Sequence, residues 1–151
     1  MKDANLEASI AQYLKDHSQY LHGQQVRAIT GYSKSGERRK ALEAAGFTLD
    51  ERNEELTITN AIVSPAWRTG GITGGSCWGG EANRSVEGEE MPAWLEEFLE
   101  MIAPETSFLK FRRLQQKCTR YTYTENEYYG NSTDYAFQVL TVSDILAVLN
   151  A

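Results

Sequence analysis

The sequence predicts an α+β fold: a single domain in which a small antiparallel β-sheet packs with several helices. Three observations predict it. Several segments space apolar residues three or four apart and carry capping residues at their ends. Shorter segments alternate apolar and polar residues with period two. No repeat, low-complexity tract or linker divides the chain, and 151 residues suit one domain that buries a core without disulfides. The domain reads as an N-terminal helical part, residues 1–50, joined to an α+β part, residues 51–151.

Leu6, Ile10, Tyr13, Leu14, His17 and Leu21 fall at helical spacing, and Gly23 is a stop signal. This predicts a first helix over 5–21 that carries both histidines. Ser35 can open a second helix over 36–45, with Gly46 as its left-handed cap. Phe47 to Val63 reads as extended; Leu56-Thr57-Ile58-Thr59 alternates, and Pro65 ends the pattern. Residues 67–80 read as an irregular hairpin or a long ordered loop. Ser85 to Glu90 reads as a polar linker.

Pro92 fits the first turn of a helix over 92–102, with Trp94, Leu95, Phe98, Leu99 and Ile102 on its apolar side. Pro104 breaks it. Thr106 or Ser107 caps a further helix over 107–118, with Phe108, Phe111 and Leu114 inward, Cys118 a further candidate, and Arg112, Arg113 and Lys117 toward water. Tyr121 to Thr124 and Tyr135 to Val142 read as strands. Ser143 is the expected cap of a last helix from Asp144 to Leu149.

Apolar content of 41% and charged content of 24% are ordinary for a globular protein. No apolar run approaches the roughly 20 residues of a membrane helix, and the polar start Met1-Lys2-Asp3-Ala4-Asn5 does not resemble a signal peptide. The expected location is therefore the cytosol. Cys77 and Cys118 lie far apart without metal-ligand spacing, so neither a disulfide nor a zinc site is expected. The sequons at Asn83 and Asn131 read as chance matches. Net charge is −6, concentrated in residues 51–105, where eleven acidic groups face three basic ones. An acidic region disfavours phosphate backbones and favours basic partner surfaces; the plainer reading is a solvated face.

No complete catalytic motif is present. Gly31-Tyr32-Ser33-Lys34-Ser35-Gly36 has the glycine spacing of a phosphate loop, but Glu37-Arg38 replaces the lysine and hydroxyl that hold phosphate and magnesium. His17 and His22, five apart, do not share a helical face. Glu125 and Glu127 share a face if extended and suit either acid–base work or backbone hydrogen bonding.

Two segments stand out. Residues 67–80 hold six of the twelve glycines and two of the three tryptophans; residues 121–135 hold five of the eight tyrosines. Ordering a glycine-rich segment is entropically costly, so its tryptophans must make specific contacts. Trp67, Arg68, Thr73, Ser76, Trp78, Asn126, Tyr128, Tyr129 and Asn131 form the expected ligand-binding set. Aromatic faces with amide and hydroxyl groups suit a nucleobase or cyclic nucleotide. The alternative is that these rings only fill the core. In either case the two segments are expected to meet, with Trp78 near Tyr128 or Tyr129.

The run Thr73-Gly74-Gly75-Ser76-Cys77-Trp78-Gly79, the middle Phe108-Leu109-Lys110-Phe111, and Tyr123-Thr124-Glu125-Asn126-Glu127-Tyr128-Tyr129-Gly130-Asn131 with Asp134-Tyr135 follow in order. Together they resemble small proteins of unassigned function encoded by bacteriophages and prophages. The resemblance covers roughly residues 56–149. It implies a phage origin and, through it, work in the host bacterial cytosol; it implies no activity.

The leading expectation is a non-enzymatic phage-type inhibitor of a bacterial defence system, similar in action to anti-CRISPR proteins. It would bind a host defence protein or nucleoprotein complex through Glu87, Glu89, Glu90, Glu96, Glu97 and Glu100. The second is a sponge that sequesters a nucleotide immune signal in the aromatic and glycine-lined pocket, which an oligomer would complete. The third is a small enzyme using Glu125 or Asp134. No cofactor, no metal, no membrane and no direct nucleic-acid contact are expected.

Overall fold

The computed structural model describes residues 4–17, 19–48, 58–74, 93–126 and 131–151. Helices α1 (Ala4–Asp16), α2 (Gly23–Thr30) and α3 (Ser35–Ala44) precede strands β1 (Ala61–Val63) and β2 (Trp67–Gly74). Helices α4 (Trp94–Ile102) and α5 (Phe108–Lys117) follow, then strands β3 (Thr119–Asn126) and β4 (Asn131–Thr141) and helix α6 (Val142–Leu149). Every strand pairing is antiparallel, so the predicted α+β class holds.

Strand β4 is central. Along one edge runs β3, from Thr119 opposite Val139 to Asn126 opposite Ser132. Strands β1 and β2 share the other edge end to end, with Val63 opposite Val139 and Trp67 opposite Ala136. Four steps from Val63 to Trp67 face three on β4, so Ser64-Pro65-Ala66 forms a bulge. Proline, which has no N–H to donate, is tolerated there on an outer strand. Ser64 ties the bulge down: its N–H donates to the Gln138 carbonyl at 2.8 Å, and its Oγ accepts from the Gln138 N–H at 2.7 Å. Pro65 therefore interrupts the extended run without ending it. A second irregularity lies between Arg68 and Ile72, inside the glycine-rich stretch. That stretch is thus a sheet strand up to Gly74.

Side chains alternate across β4. On one face Leu140 and Ile62 join a core formed with α1 (Leu6, Ile10), α4 (Trp94, Phe98), α5 (Leu114) and α6 (Ile145, Val148). On the other, Phe137, Val139 and Ala61 pack with Leu21, Leu42, Phe47 and Ile58, against which α2 also lies. Helices cover both faces, which is why Ala136 to Leu140 are all buried.

Several elements differ from expectation. Helix α1 stops at Asp16, and Leu21 turns into the second core. Gly23 opens α2, a helix the sequence reading did not anticipate. Its cap is His22: Nδ1 accepts from the Gln24 N–H at 3.2 Å, while the His22 N–H donates to Gln25 Oε1 at 3.2 Å. The two histidines therefore sit beyond one helix and before the next. Thr141, not Ser143, caps α6, its Oγ1 accepting from the Asp144 N–H at 3.1 Å. Phe108 is not inward; it is 75% exposed, whereas Leu114 on the same helix is buried. Of the extended run 47–63 only Ala61–Val63 is strand among the described residues. The predicted linker 85–90 and Pro92 lie outside the described residues. No helix among the described residues is long and apolar enough to cross a membrane.

Candidate functional site

Residues paired across a sheet share a face. Arg68, Tyr135 and Tyr123 therefore form one row across three strands, since both Arg68 and Tyr123 pair with Tyr135. Trp67, Ala136 and Thr122 form the next row, on the opposite face. Trp67 and Arg68 were expected to line one pocket; strand alternation puts the sheet between them. Asn126 pairs with Ser132, on the Trp67 face, about 13 Å along the strand from the Trp67 row, and the backbone of Thr73 pairs with Ser132 from the other edge. Asn131 pairs with Gly74. The described ends of both unusual segments thus reach the same end of the sheet. Ser76, Trp78, Tyr128 and Tyr129 lie outside the described residues, and with them the expected Trp78–tyrosine contact.

The Arg68 face carries an aromatic ladder. Tyr123 stacks on Tyr135 with ring centroids 5.4 Å apart, Tyr121 stacks on Phe137 at 5.5 Å, and His22 meets Tyr123 edge-on at 5.4 Å. Burial, then the charge of Glu125 and the nearby Tyr135 phenol, push the Tyr123 phenol up to about 12. Burial raises Tyr121 as well. These hydroxyls are donors at any physiological pH. On the other face Trp67 is half-buried, its indole N–H has no hydrogen-bond partner among the described residues, and the Arg120 guanidinium lies 6.0 Å from its ring centre.

The two carboxylates considered for catalysis are also divided. Glu125 pairs with Thr133 on the ladder face, whereas Asp134 is on the other, where its Oδ1 accepts from Thr124 Oγ1 at 2.7 Å. They cannot act as a pair on one substrate. Glu127 lies outside the described residues. Among the described residues no three His, Cys, Asp or Glu side chains are grouped to hold a metal ion.

The acidic set splits similarly. Glu87, Glu89 and Glu90 lie outside the described residues. Glu96, Glu97 and Glu100 are exposed on α4. Glu97 faces Tyr13, whose phenol is raised by burial and then by that charge. Glu96 and Glu100 instead border a groove of about 330 Å³ between α4 and α5, floored by Leu99, Pro104, Phe108 and Phe111. Met101 and Leu109 add exposed apolar surface on the same two helices, 60% and 62% accessible. Arg112 lies 6.0 Å from the centre of the Phe108 ring. Reading Phe108 as core concealed this groove; the available sequence signal was the adjacent pair Phe108-Leu109, which a helix cannot bury together on one narrow stripe.

Comparison of the chain with protein-family models, with curated proteins and with solved structures gives no match.

Proposed function

We propose that the chain is a non-enzymatic binding protein, an inhibitor of a bacterial defence system of the phage type, and that it docks a host protein through the α4–α5 groove. The observation that carries this reading is Phe108, a large apolar side chain left 75% exposed beside Glu96 and Glu100. An apolar centre with a charged rim is the anatomy of a protein–protein interface. The carboxylates on the α4 rim favour a partner surface with basic groups around an apolar anchor. They also disfavour a nucleic-acid backbone at the same place.

The test is expression of the chain in bacteria that each carry one defence system, followed by phage plating. One system should be disabled. The purified component it targets should then bind the chain, with association slowed by salt. Plating that stays restricted across the panel would contradict the reading.

A further inference from the structure

We infer that a cleft between the α1–α2 connection and the β1–β2 bulge is a binding site for a nucleobase. The cleft is about 420 Å³ and is walled by Tyr13, His17, Tyr20, His22, Gln25 and Pro65. That volume is within the usual range of small-molecule sites. It gathers both histidines of the chain, which a continuous first helix would have separated.

The cleft is held in shape by Gln19. Its Nε2 donates to the His17 carbonyl at 3.0 Å, and its Oε1 accepts from the Val63 N–H at 2.9 Å. The connection is thereby strapped to β1. Flat surfaces are ready for stacking: Tyr13 and His17 lie 4.3 Å apart at 20°, and Tyr20 stands 71% exposed at the rim. An aromatic side chain in that state is a stacking platform for a base.

Hydrogen-bond partners assign the histidine tautomers. His17 Nδ1 is 3.2 Å from the Tyr13 carbonyl, which can only accept, so Nδ1 carries the proton and Nε2 is an acceptor. His22 Nδ1 accepts from the Gln24 N–H, so His22 Nε2–H is a donor. Gln25 is 93% buried by its 7% exposure, and its Oε1 is committed to the His22 N–H. Gln25 also lines the cleft, and its amide NH2 is a donor group. An amide donor on the cleft wall can meet an acceptor on the edge of a base.

The described lining residues include no Asp, Glu, Lys or Arg. A bare phosphate or a simple cation would find no counter-charge there. A metal on His22 Nε2 would also force the proton onto Nδ1 and dismantle the α2 cap. A flat, neutral ring with a donor and acceptors on its edge matches what remains.

The chain has two histidines, so its imidazole NMR spectrum contains two sets of signals. Adenosine, guanosine, cytidine and uridine 5′-monophosphates are titrated separately, with ribose 5-phosphate as the control. At least one nucleotide should move both histidine signals along one saturable curve, and the control should move neither. Gln25→Glu keeps the oxygen that caps α2 but removes the donor; it should weaken binding about tenfold, as should Tyr20→Ala at the exposed rim. Histidine signals unmoved by all four nucleotides at millimolar concentration would overturn the proposal. So would equal shifts with ribose 5-phosphate, or wild-type affinity in both variants. The readout does not involve α4 or α5, so it stands or falls apart from the docking groove.

Discussion

Trp94 donates its indole N–H to the side-chain oxygen of Gln138 at 2.8 Å, joining α4 to the central strand inside the core. Both residues are buried, at 7% and 6% exposure. This bond fixes where α4 sits, and with it the direction in which Glu96 and Glu100 face. Trp94→Phe would leave the Gln138 oxygen buried without its donor. It should destabilise the fold by about 2 kcal/mol, measured by urea unfolding. Adding Gln138→Leu should recover part of that loss, because the orphaned acceptor is gone. Equal costs for the single and double variants would mean that packing alone is at work.

Gly46 has φ +101°, and a Cβ added there would lie 2.6 Å from Thr141 Cγ2. A left-handed backbone and a close approach thus both demand glycine. Gly46→Ala should cost about 3 kcal/mol, and Thr141→Ser in that background should return part of it by removing the clashing methyl. A melting temperature unchanged by Gly46→Ala would contradict the tight contact between the α3 end and β4.

The fold was legible where local pattern and packing agree. Helices α4 and α5 announce themselves through Leu95, Phe98, Leu99, Phe111 and Leu114, and Ser107 caps as its type suggests, its Oγ accepting from the Lys110 N–H at 3.3 Å. Helix α2 was illegible because its cap is a histidine, outside the usual Ser, Thr, Asp and Asn set. Strand β2 was hidden because glycine supplies no apolar side chain to alternate. The division of the expected pocket between two faces comes from alternation along β2, once residues 67 and 68 are strand. That Arg68 shares a row with Tyr135 and Tyr123 depends on pairing between distant segments, which single-strand patterns do not encode.

Alkaline stability should report the aromatic ladder. Burial, Glu125 and Tyr135 hold the Tyr123 phenol at about 12, above its ordinary value of 10.0. Between these values the folded chain keeps a proton that the unfolded chain has released. The contribution is complete below about pH 10 and is lost as pH rises through about 12. Urea titrations over that window should show falling stability for the wild type and a shallower fall for Tyr123→Phe. Parallel curves would remove Tyr123 as the titrating group.

Cys118 should be chemically quiet. Burial, then the charge of Asp144, push its thiol up to about 11, and Sγ donates to the Leu114 carbonyl at 3.4 Å. In a Cys77→Ser background, alkylation near neutral pH should be on the order of a hundredfold slower than for an unhindered thiol. A rate matching glutathione would show that Cys118 is far more open than its packing against the core implies.

Within the acidic set, charge reversal should separate by position. If the α4–α5 groove docks a host defence protein as proposed, Glu96→Lys with Glu100→Lys should weaken inhibition, while Glu97→Lys, turned toward Tyr13, should leave it near wild type. All three are exposed, so each change should alter stability by no more than about 0.5 kcal/mol. Equal loss from Glu97→Lys would move the contact surface away from the groove.

The most direct measurement compares phage plating on defence-bearing bacteria that express either the wild-type chain or Phe108→Asp. Phe108 is exposed, so the variant should fold with an unchanged circular dichroism spectrum and melting temperature. If the α4–α5 groove docks the host partner, a buried carboxylate in place of the apolar anchor should lower affinity by about a hundredfold or more and restore resistance to the phage. Plating by the folded variant equal to that of the wild type would contradict the account.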